Sequence, residues 1–329
     1  MHLAMEFADV IRDLRPDLEA VEERLRTSAD LGFPALGNII DQLIGAGGKR
    51  LRPVMLLLCA KPFNYQLDKL LSAAAGIEML HTASLVHDDT IDGAKLRRGQ
   101  PTLNSMFDTG TVIMLGDYLF AKSAMLAADT MNPRVVAVFA STLGHICDGQ
   151  LHEILTSHNT DQTREDYERR IFGKTASLFA GAAEMGAILA DASDPDIEAM
   201  REYGSDVGMA FQIVDDVLDL SGSTEEIGKP AGLDLRQGTV TLPTMIFMAR
   251  EKGSKVAAEV KQIVDSGEAT DDELRHIAQL IRESGALEES VDTARMFVDR
   301  ALKRIAFIED QHAVMALSAL AESALIRTH

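Results

Sequence analysis

Apolar residues return every three to four positions along almost the whole chain, and no stretch alternates with the two-residue period of a strand. A chain patterned this way can bury its apolar surface only as helix packed on helix. The pattern predicts helices over 4–28 (perturbed at Pro16), 34–46, 51–61, 66–92, 103–129, 133–157, 163–191, 194–221, 241–251, 254–267, 271–284, 286–307 and 309–326. The punctuation is "AGGKRLRP", "KPFN", "RRGQPT", "MNPR", "SDPD" and "EIGKPAGLDLRQG", rich in Gly, Pro and Asn. No Gly/Ser linker, composition shift or low-complexity tract interrupts residues 1–329, so the expected fold class is all-α, a single large helical bundle in one domain. A segment such as 66–92 reaches about 40 Å at about 1.5 Å per residue, and long helices with wide apolar faces pack around a central space able to hold something long and greasy. The polar stretch 222–240 is the one long irregular segment, expected as a mobile loop over a site.

Charge narrows the partners. The formal net charge is −19, which argues against nucleic acid, whose phosphates need clustered Lys and Arg. Cys59 and Cys147 sit in apolar helical surroundings and read as small core residues in a reducing compartment, not as a disulfide framework. The start of the chain is interrupted by charge, as a signal peptide is not. The longest apolar runs, such as "PVMLLLCA", fall short of the about 20 residues a membrane span needs. The expectation is a cytoplasmic protein with no transmembrane segment.

Two clusters share the pattern DDxxD. Asp88, Asp89 and Asp92 lie in "HDDTID", and Asp215, Asp216 and Asp219 in "FQIVDDVLDL", each after an apolar helical stretch. Positions four apart project along nearly one helix face, so Asp88 aligns with Asp92 and Asp215 with Asp219. Like charges at that spacing weaken a helix slightly. One such cluster could be a solvated acidic helix end; two, each after strongly apolar helix, point to a ligand. Hard carboxylate oxygens suit Mg²⁺, which keeps several waters and bridges protein carboxylates to phosphates.

Cations stand beside glycines: Lys49, Arg50 and Arg52 in "GGKRLRP", Arg97 and Arg98 in "LRRG", Lys174 in "GKTA" (followed by the neutral Thr175), and Lys229 in "GKP". Arg grips phosphate bidentately and Lys acts as a point charge. A single basic residue is usually solvated surface charge; several beside glycines in so acidic a chain point to an anion site next to the metal site. His81 lies two turns before Asp88 on the same face and reads as a candidate hydrogen-bond donor for the anion site. His87, His145 and His152 carry no assigned role, and Met55, Met79, Met114 and Met125 read as core.

In order along residues 45–245, "GGKRLRP", "EMLHTASLVHDDTIDGAKLRRGQPT", "GKTASLF", "FQIVDDVLDL" and "GKPAGLDLRQGTVTLP" resemble the trans-polyprenyl (isoprenyl) diphosphate synthases, and specifically their long-chain type. The resemblance implies an all-α fold around a deep central cavity, a homodimer, and head-to-tail (1′-4) condensation of isopentenyl diphosphate with an allylic diphosphate. It implies three Mg²⁺ ions per active site, with Asp88, Asp92 and Asp215 as principal ligands and Asp89, Asp216 and Asp219 supporting or water-mediated. Lys49, Arg52, His81 and Arg98 match its isopentenyl diphosphate site. Arg97, Lys174 and Lys229 match its allylic diphosphate clamp, while Thr175 and Gln212 match positions near the developing allylic cation. Many relatives carry Lys where this chain has Thr239, so one clamp cation is missing or replaced.

Product length is read just before the first cluster, where family members that stop early carry an aromatic residue. Here the positions are Ala83 and Ser84, both small, with Leu80 and Ile77 continuing the face. An open tunnel there implies a product of about six to ten isoprene units, since pocket volume bounds what a site can hold. The other reading is that Ala83 and Ser84 pack a close helix crossing, and Met106, Phe107, Met114 or Phe120 supplies the floor. A C15/C20 synthase is the alternative product class. A class I terpene cyclase shares Asp-rich motifs but needs no isopentenyl site, and a small accessory subunit, found with some long-chain relatives, stays open.

Overall fold

The computed structural model describes residues 6–29, 43, 45, 48–97, 99–221 and 232–326. Arg98, Lys229, the 222–231 part of the expected loop and almost all of the expected helix 34–46 lie outside the described residues. The described chain is helical throughout, as expected. The exception is one antiparallel pair of two-residue strands, β1 (Leu96–Arg97) on β2 (Gln100–Pro101), too short to show in hydropathy. The packing groups the chain into two compact units: Met1–Gly144 with Leu178–Gly204 and Phe307–Ala319, and His145–Ser177 with Ser205–Ala306 and Leu320–His329.

The first unit is built on one helix. The stretch α1 (Phe7–Asp13) and α2 (Arg15–Ser28) is broken at Leu14, because Pro16 belongs in the first turn of a new helix. The chain then forms α3 (Leu51–Ala60) and α4 (Leu67–Ile91). Helix α4 is buried on nearly every side from Ala73 to Val86, which only a helix surrounded by others tolerates. Its neighbours are α2, α3 and, most extensively, α5 (Thr109–Asp129). Residues 103–108, expected as the start of that helix, instead form a 3₁₀ turn (Leu103–Ser105), because Asp108 accepts the Thr111 amide at 3.1 Å and caps α5. Small residues bring helices into backbone contact. A methyl on Gly186 of α8 (Ser177–Leu189) would lie 2.2 Å from the Leu56 carbonyl oxygen of α3.

Helix α5 corrects two expectations. Met114 and Met125 are 65% and 58% exposed, whereas Met55 and Met79 are buried as predicted. Periodicity identifies an apolar face, not what covers it. The helix is also long and apolar enough by length and composition to cross a bilayer, with a mean hydropathy of 1.3, which the longest-run criterion missed. Its inner residues Val112, Leu115, Leu119 and Leu126 are buried in the unit, as in any core helix.

The second unit contains α7 (Arg164–Ile171), α11 (Leu242–Arg250), α12 (Lys255–Ser266), α13 (Asp271–Glu283) and α14 (Ala286–Arg304), with the short α10 (Leu233–Arg236). Reciprocal capping boxes start two of these, Thr163 with Asp166 and Thr270 with Glu273. Four of the described helices contribute residues to both units: α6 (Pro133–Thr156), α9 (Asp194–Ser221), α15 (Gln311–Ser323) and, through Ser177 alone, α8. Cys59 is buried, but Cys147 on α6 is exposed, against the expectation of two core thiols.

Gly186→Ala is expected to destabilise the protein by about 1–3 kcal/mol through overpacking. Thermal or denaturant unfolding reads it, and an unchanged transition would mean that α3 and α8 do not touch there.

Candidate active site

The first aspartate cluster ends α4. Asp88 is half-buried in the last turn and Asp92 is its exposed C-cap, so both stand at the negative pole of the helix dipole. No Lys, Arg or His occupies that last turn. Asp89 is buried and its carboxylate is already engaged. Arg97 reaches back from β1 and donates from Nε to both oxygens, at 2.9 and 3.0 Å. The hairpin is fixed by Gly93 and Gly99 at positive φ and by the Ala94 amide donating to the Asp89 carbonyl. Arg97, expected in the allylic clamp, therefore organises Asp89 in this state.

A cavity of about 850 Å³ opens in this unit. One face of α4 lines it through Glu78, His81, Leu85 and Asp89, at helical spacing, together with Arg50 and Arg97. The cavity is mostly apolar with a few polar groups, as a site for an amphiphilic ligand must be. Lys49 is exposed, and Arg52 in the first turn of α3 holds its guanidinium 5.0 Å over the Phe179 ring. Ala83 and Ser84 are buried on another face and do not line this cavity; the Ser84 hydroxyl donates to the His81 carbonyl at 2.8 Å. Of the expected floor residues, Met106 lines the cavity and Phe120 meets the His87 ring edge-on at 5.0 Å.

The second cluster occupies the last two turns of α9, with Asp219 in the final turn at its negative pole and Asp215 and Asp216 one turn earlier. Asp216 is fully committed: Tyr167 donates its hydroxyl to Oδ2 at 2.7 Å and Gln212 its amide to Oδ1 at 2.8 Å. Gln212 in turn accepts the Thr175 hydroxyl at 2.6 Å. Burial pushes the Asp216 carboxyl up to about 6 in spite of these donors. Asp219 accepts the amides of Leu233 and Asp234, at 3.1 and 3.2 Å, and so ties down the chain that returns after 231. Burial, then the carboxylates of Asp219 and Asp216, push Asp234 well above the usual carboxylate range.

Lys174 and Thr175 sit in a π-helical turn, Phe172–Ala176, inserted between α7 and α8. Such turns concentrate at functional sites. This one has no room for side chains beneath it: a methyl on Gly173 would lie 2.7 Å from Cα of Gly149 on α6. Lys174 is bonded to Glu153, and Arg170 donates to the Val240 carbonyl at 2.6 Å. A pocket of about 80 Å³ gathers Glu153, Lys174, Gln212, Asp216, Asp234 and Thr239. Thr239 is buried in its wall, and its amide donates to the Asp234 carbonyl at 2.8 Å. Cations are supplied to this pocket by Lys174 and Arg170. Sequence reasoning missed Glu153, Arg170, Tyr167 and Asp234; only Asp234 carried a signal, inside "GLDLRQ".

Elsewhere, His145 lies against Phe172 at 5.3 Å, and His152 stands 3.9 Å from Asp166.

The donor set fits Mg²⁺. Asp88, Asp92 and Asp215 offer only hard oxygens, and the first two stand at a helix pole that favours cations. Among the described residues no three acidic, His or Cys side chains close into a ready-made cage. That suits an ion which keeps its waters and is completed by phosphate oxygens.

In the metal-free protein, Asp216 should make stability fall as pH rises. Its folded value, about 6, lies above the ordinary 3.8, so its contribution is complete below 3.8 and lost through 6. A bound cation opposes this by favouring the charged form. Melting temperature measured from pH 5 to 7.5 in chelator should drop more for wild type than for Asp216→Asn, and added Mg²⁺ should narrow the gap. Equal slopes would refute the assignment.

Known proteins match both the sequence and the fold. The polyprenyl synthetase family model matches residues 33–281. Heptaprenyl diphosphate synthase component 2 of Geobacillus stearothermophilus is 40% identical over 289 residues, 88% of this chain and 89% of the relative. The crystal structure of a decaprenyl diphosphate synthase from Rhodobacter capsulatus superposes with a TM-score of 0.91 at 35% identity, covering 97% of this chain and 98% of that one. A polyprenyl synthase from Caulobacter crescentus, complexed with calcium and isoprenyl diphosphate, gives 0.93 at 33% identity and 99% of both chains. The order of motifs, the all-α fold and the two aspartate-bearing helix ends thus have one explanation: the chain belongs to the polyprenyl synthetase family and is an enzyme that transfers prenyl groups.

Proposed function

We propose that the protein condenses isopentenyl diphosphate head-to-tail (1′-4) with an allylic diphosphate, in a Mg²⁺-dependent reaction, to give a trans-polyprenyl diphosphate of about six to ten isoprene units (C30–C50), the length being bounded by the volume the protein encloses. The observation that carries this is the placement of hard carboxylates toward the C-terminal ends of two helices, Asp88 and Asp92 at the end of α4 and Asp215 in the penultimate turn of α9. The names of the heptaprenyl and decaprenyl relatives support the length.

Bound Mg²⁺ neutralises the leaving diphosphate. Asp88, Asp92 and Asp215 hold it, with Asp89, Asp216 and Asp219 supporting them. Arg97, Lys174 and Lys229 grip the allylic diphosphate; Lys49, Arg52, His81 and Arg98 grip isopentenyl diphosphate. The allylic C–O bond breaks and its electron pair leaves with diphosphate. The isopentenyl double bond supplies the pair for the new C–C bond, oriented by its own diphosphate grip. Loss of a proton from the neighbouring carbon, accepted by the departing diphosphate, forms the new double bond. The Thr175 hydroxyl and the Gln212 carbonyl present oxygen dipoles suited to stabilising the positive charge meanwhile.

Purified protein given Mg²⁺, isopentenyl diphosphate and allylic primers of different lengths should yield products of C30 or longer. Products of C15 or C20 would favour the short-chain alternative, and conversion of the allylic substrate alone would favour a cyclase. Asp88→Asn should lower kcat/KM by about 10²–10³-fold, as loss of one transition-state charge stabiliser does. Ala83 is fully buried and lines no described cavity, so Ala83→Phe tests the tunnel reading of this face: a shortened product supports it, and a folded variant with unchanged products means that this face of α4 packs helices and lines no tunnel.

The exposed Met114 and Met125 on α5 support self-association through that face. The "component 2" in the Geobacillus name keeps a non-identical subunit as the competing partner. Light scattering on the purified chain should give twice the mass of one copy. A monomer active only with a second polypeptide would decide for the accessory subunit; the location in this reading is cytoplasmic.

A further inference from the structure

Lys49, Arg50 and Arg52 are three cations in four positions, and the structure sends them to different places. Lys49 is exposed, and Arg52 begins helix α3 over Phe179. Arg50 turns inward. It is the N-cap of α3, with φ 51 and ψ 40, the left-handed region that a non-glycine residue occupies at a cost. Its neighbours hold it there. Nη1 lies 3.1 Å from Oε1 of Glu78 on α4, and Nε lies 3.5 Å from Oε1 of Glu22 on α2. The Arg50 and Glu78 side chains are only 8% and 6% exposed.

Glu78 stands out for its chemistry. It lines the 850 Å³ cavity beside His81 and Arg97, and its Oε2 is buried without a hydrogen-bond partner among the described residues. A carboxylate in the wall of an anion site repels the ligand unless its charge is spent on a partner. Two carboxylates around one guanidinium leave Arg50 with no surplus positive charge to offer a diphosphate. The left-handed residue also stops α3 at Leu51. Had Arg50 been right-handed, the helix would continue backward and fan the three cations at about 100° per residue.

We infer that Arg50 and Glu78 are positioning residues for the diphosphate-binding turn: Glu78 holds Arg50 in the left-handed kink, and the kink sets Lys49 and Arg52 as the pair that meets isopentenyl diphosphate. This rests on the ligand roles of Lys49 and Arg52 in the proposed function.

The two roles open to Arg50 predict opposite results. Binding of isopentenyl diphosphate alone, which does not turn over, is measured by titration calorimetry, and folding by thermal unfolding. Glu78→Leu should weaken binding by about tenfold or more, as small misplacements of binding groups do. KM for the allylic substrate should stay unchanged. In the double variant Arg50→Gly/Glu78→Leu, glycine takes the left-handed turn without strain and no buried charge is left unpaired. Its affinity should return to within about threefold of wild type, because the turn itself is what binding requires. If Glu78→Leu binds as well as wild type or better, Arg50 is a ligand that Glu78 restrains, and the inference is overturned. Failure of the double variant to recover also overturns it. Should Glu78→Leu not fold, the double variant decides by the same threefold criterion. Wild-type protein that neither binds nor condenses isopentenyl diphosphate would overturn the proposed function instead; the same variants titrated with inorganic pyrophosphate then test the turn.

Discussion

Carboxylates crowded near the C-terminal end of a helix repel one another, and those in its final turn are repelled again by the negative end of the helix dipole. The chain does this at the end of α4 and again at the end of α9. Much of the surrounding structure answers that repulsion. The middle aspartate of each cluster, Asp89 or Asp216, is buried and bonded to the protein's own donors: Arg97 in one case, Tyr167 and Gln212 in the other. A DDxxD motif is therefore two kinds of residue in one spelling. The hairpin exists to return Arg97 to Asp89, and α7 delivers Tyr167 to Asp216. What is left at each helix end is an arrangement that a divalent cation stabilises.

The same economy governs the cations. Lys174 lies against Glu153, Arg170 spans Glu153 and the Val240 carbonyl, and Arg50 lies between Glu22 and Glu78. In a chain of net charge −19, basic side chains near the site are pre-paired with carboxylates. An incoming diphosphate competes with those carboxylates for the same guanidinium and ammonium groups. Discrimination then rests on geometry and on the metal, since raw positive potential is scarce.

Most of the fold was legible because a 3.6-residue apolar period survives any choice of neighbours. The failures are places where local sequence does not encode the partner. Residues 103–108 carry helix-like spacing, but Asp108 is spent on capping α5. Met114, Met125 and Cys147 lie on apolar stripes that face outward, which periodicity alone cannot reveal. The π-helical turn at 172–176 leaves no mark in hydropathy, and neither does the left-handed backbone of Arg50. The aspartate clusters and their flanking cations were visible as motifs. Tyr167, Glu153 and Arg170 were not, because each reads as an ordinary core or surface residue until its partner from a distant segment arrives.

Asp219 carries a consequence of its own. Its two carboxylate oxygens cap the amides of Leu233 and Asp234, and its carbonyl accepts the Gly232 amide. A carboxylate has about four lone-pair positions, so these backbone donors and a cation's water shell would draw on the same two oxygens. The donors also draw electron density from the oxygens that a cation would share. Occupancy at this end of α9 and order in the segment from Gly232 onward thus become a single linked equilibrium, in which strengthening one bond to Asp219 is felt by the others.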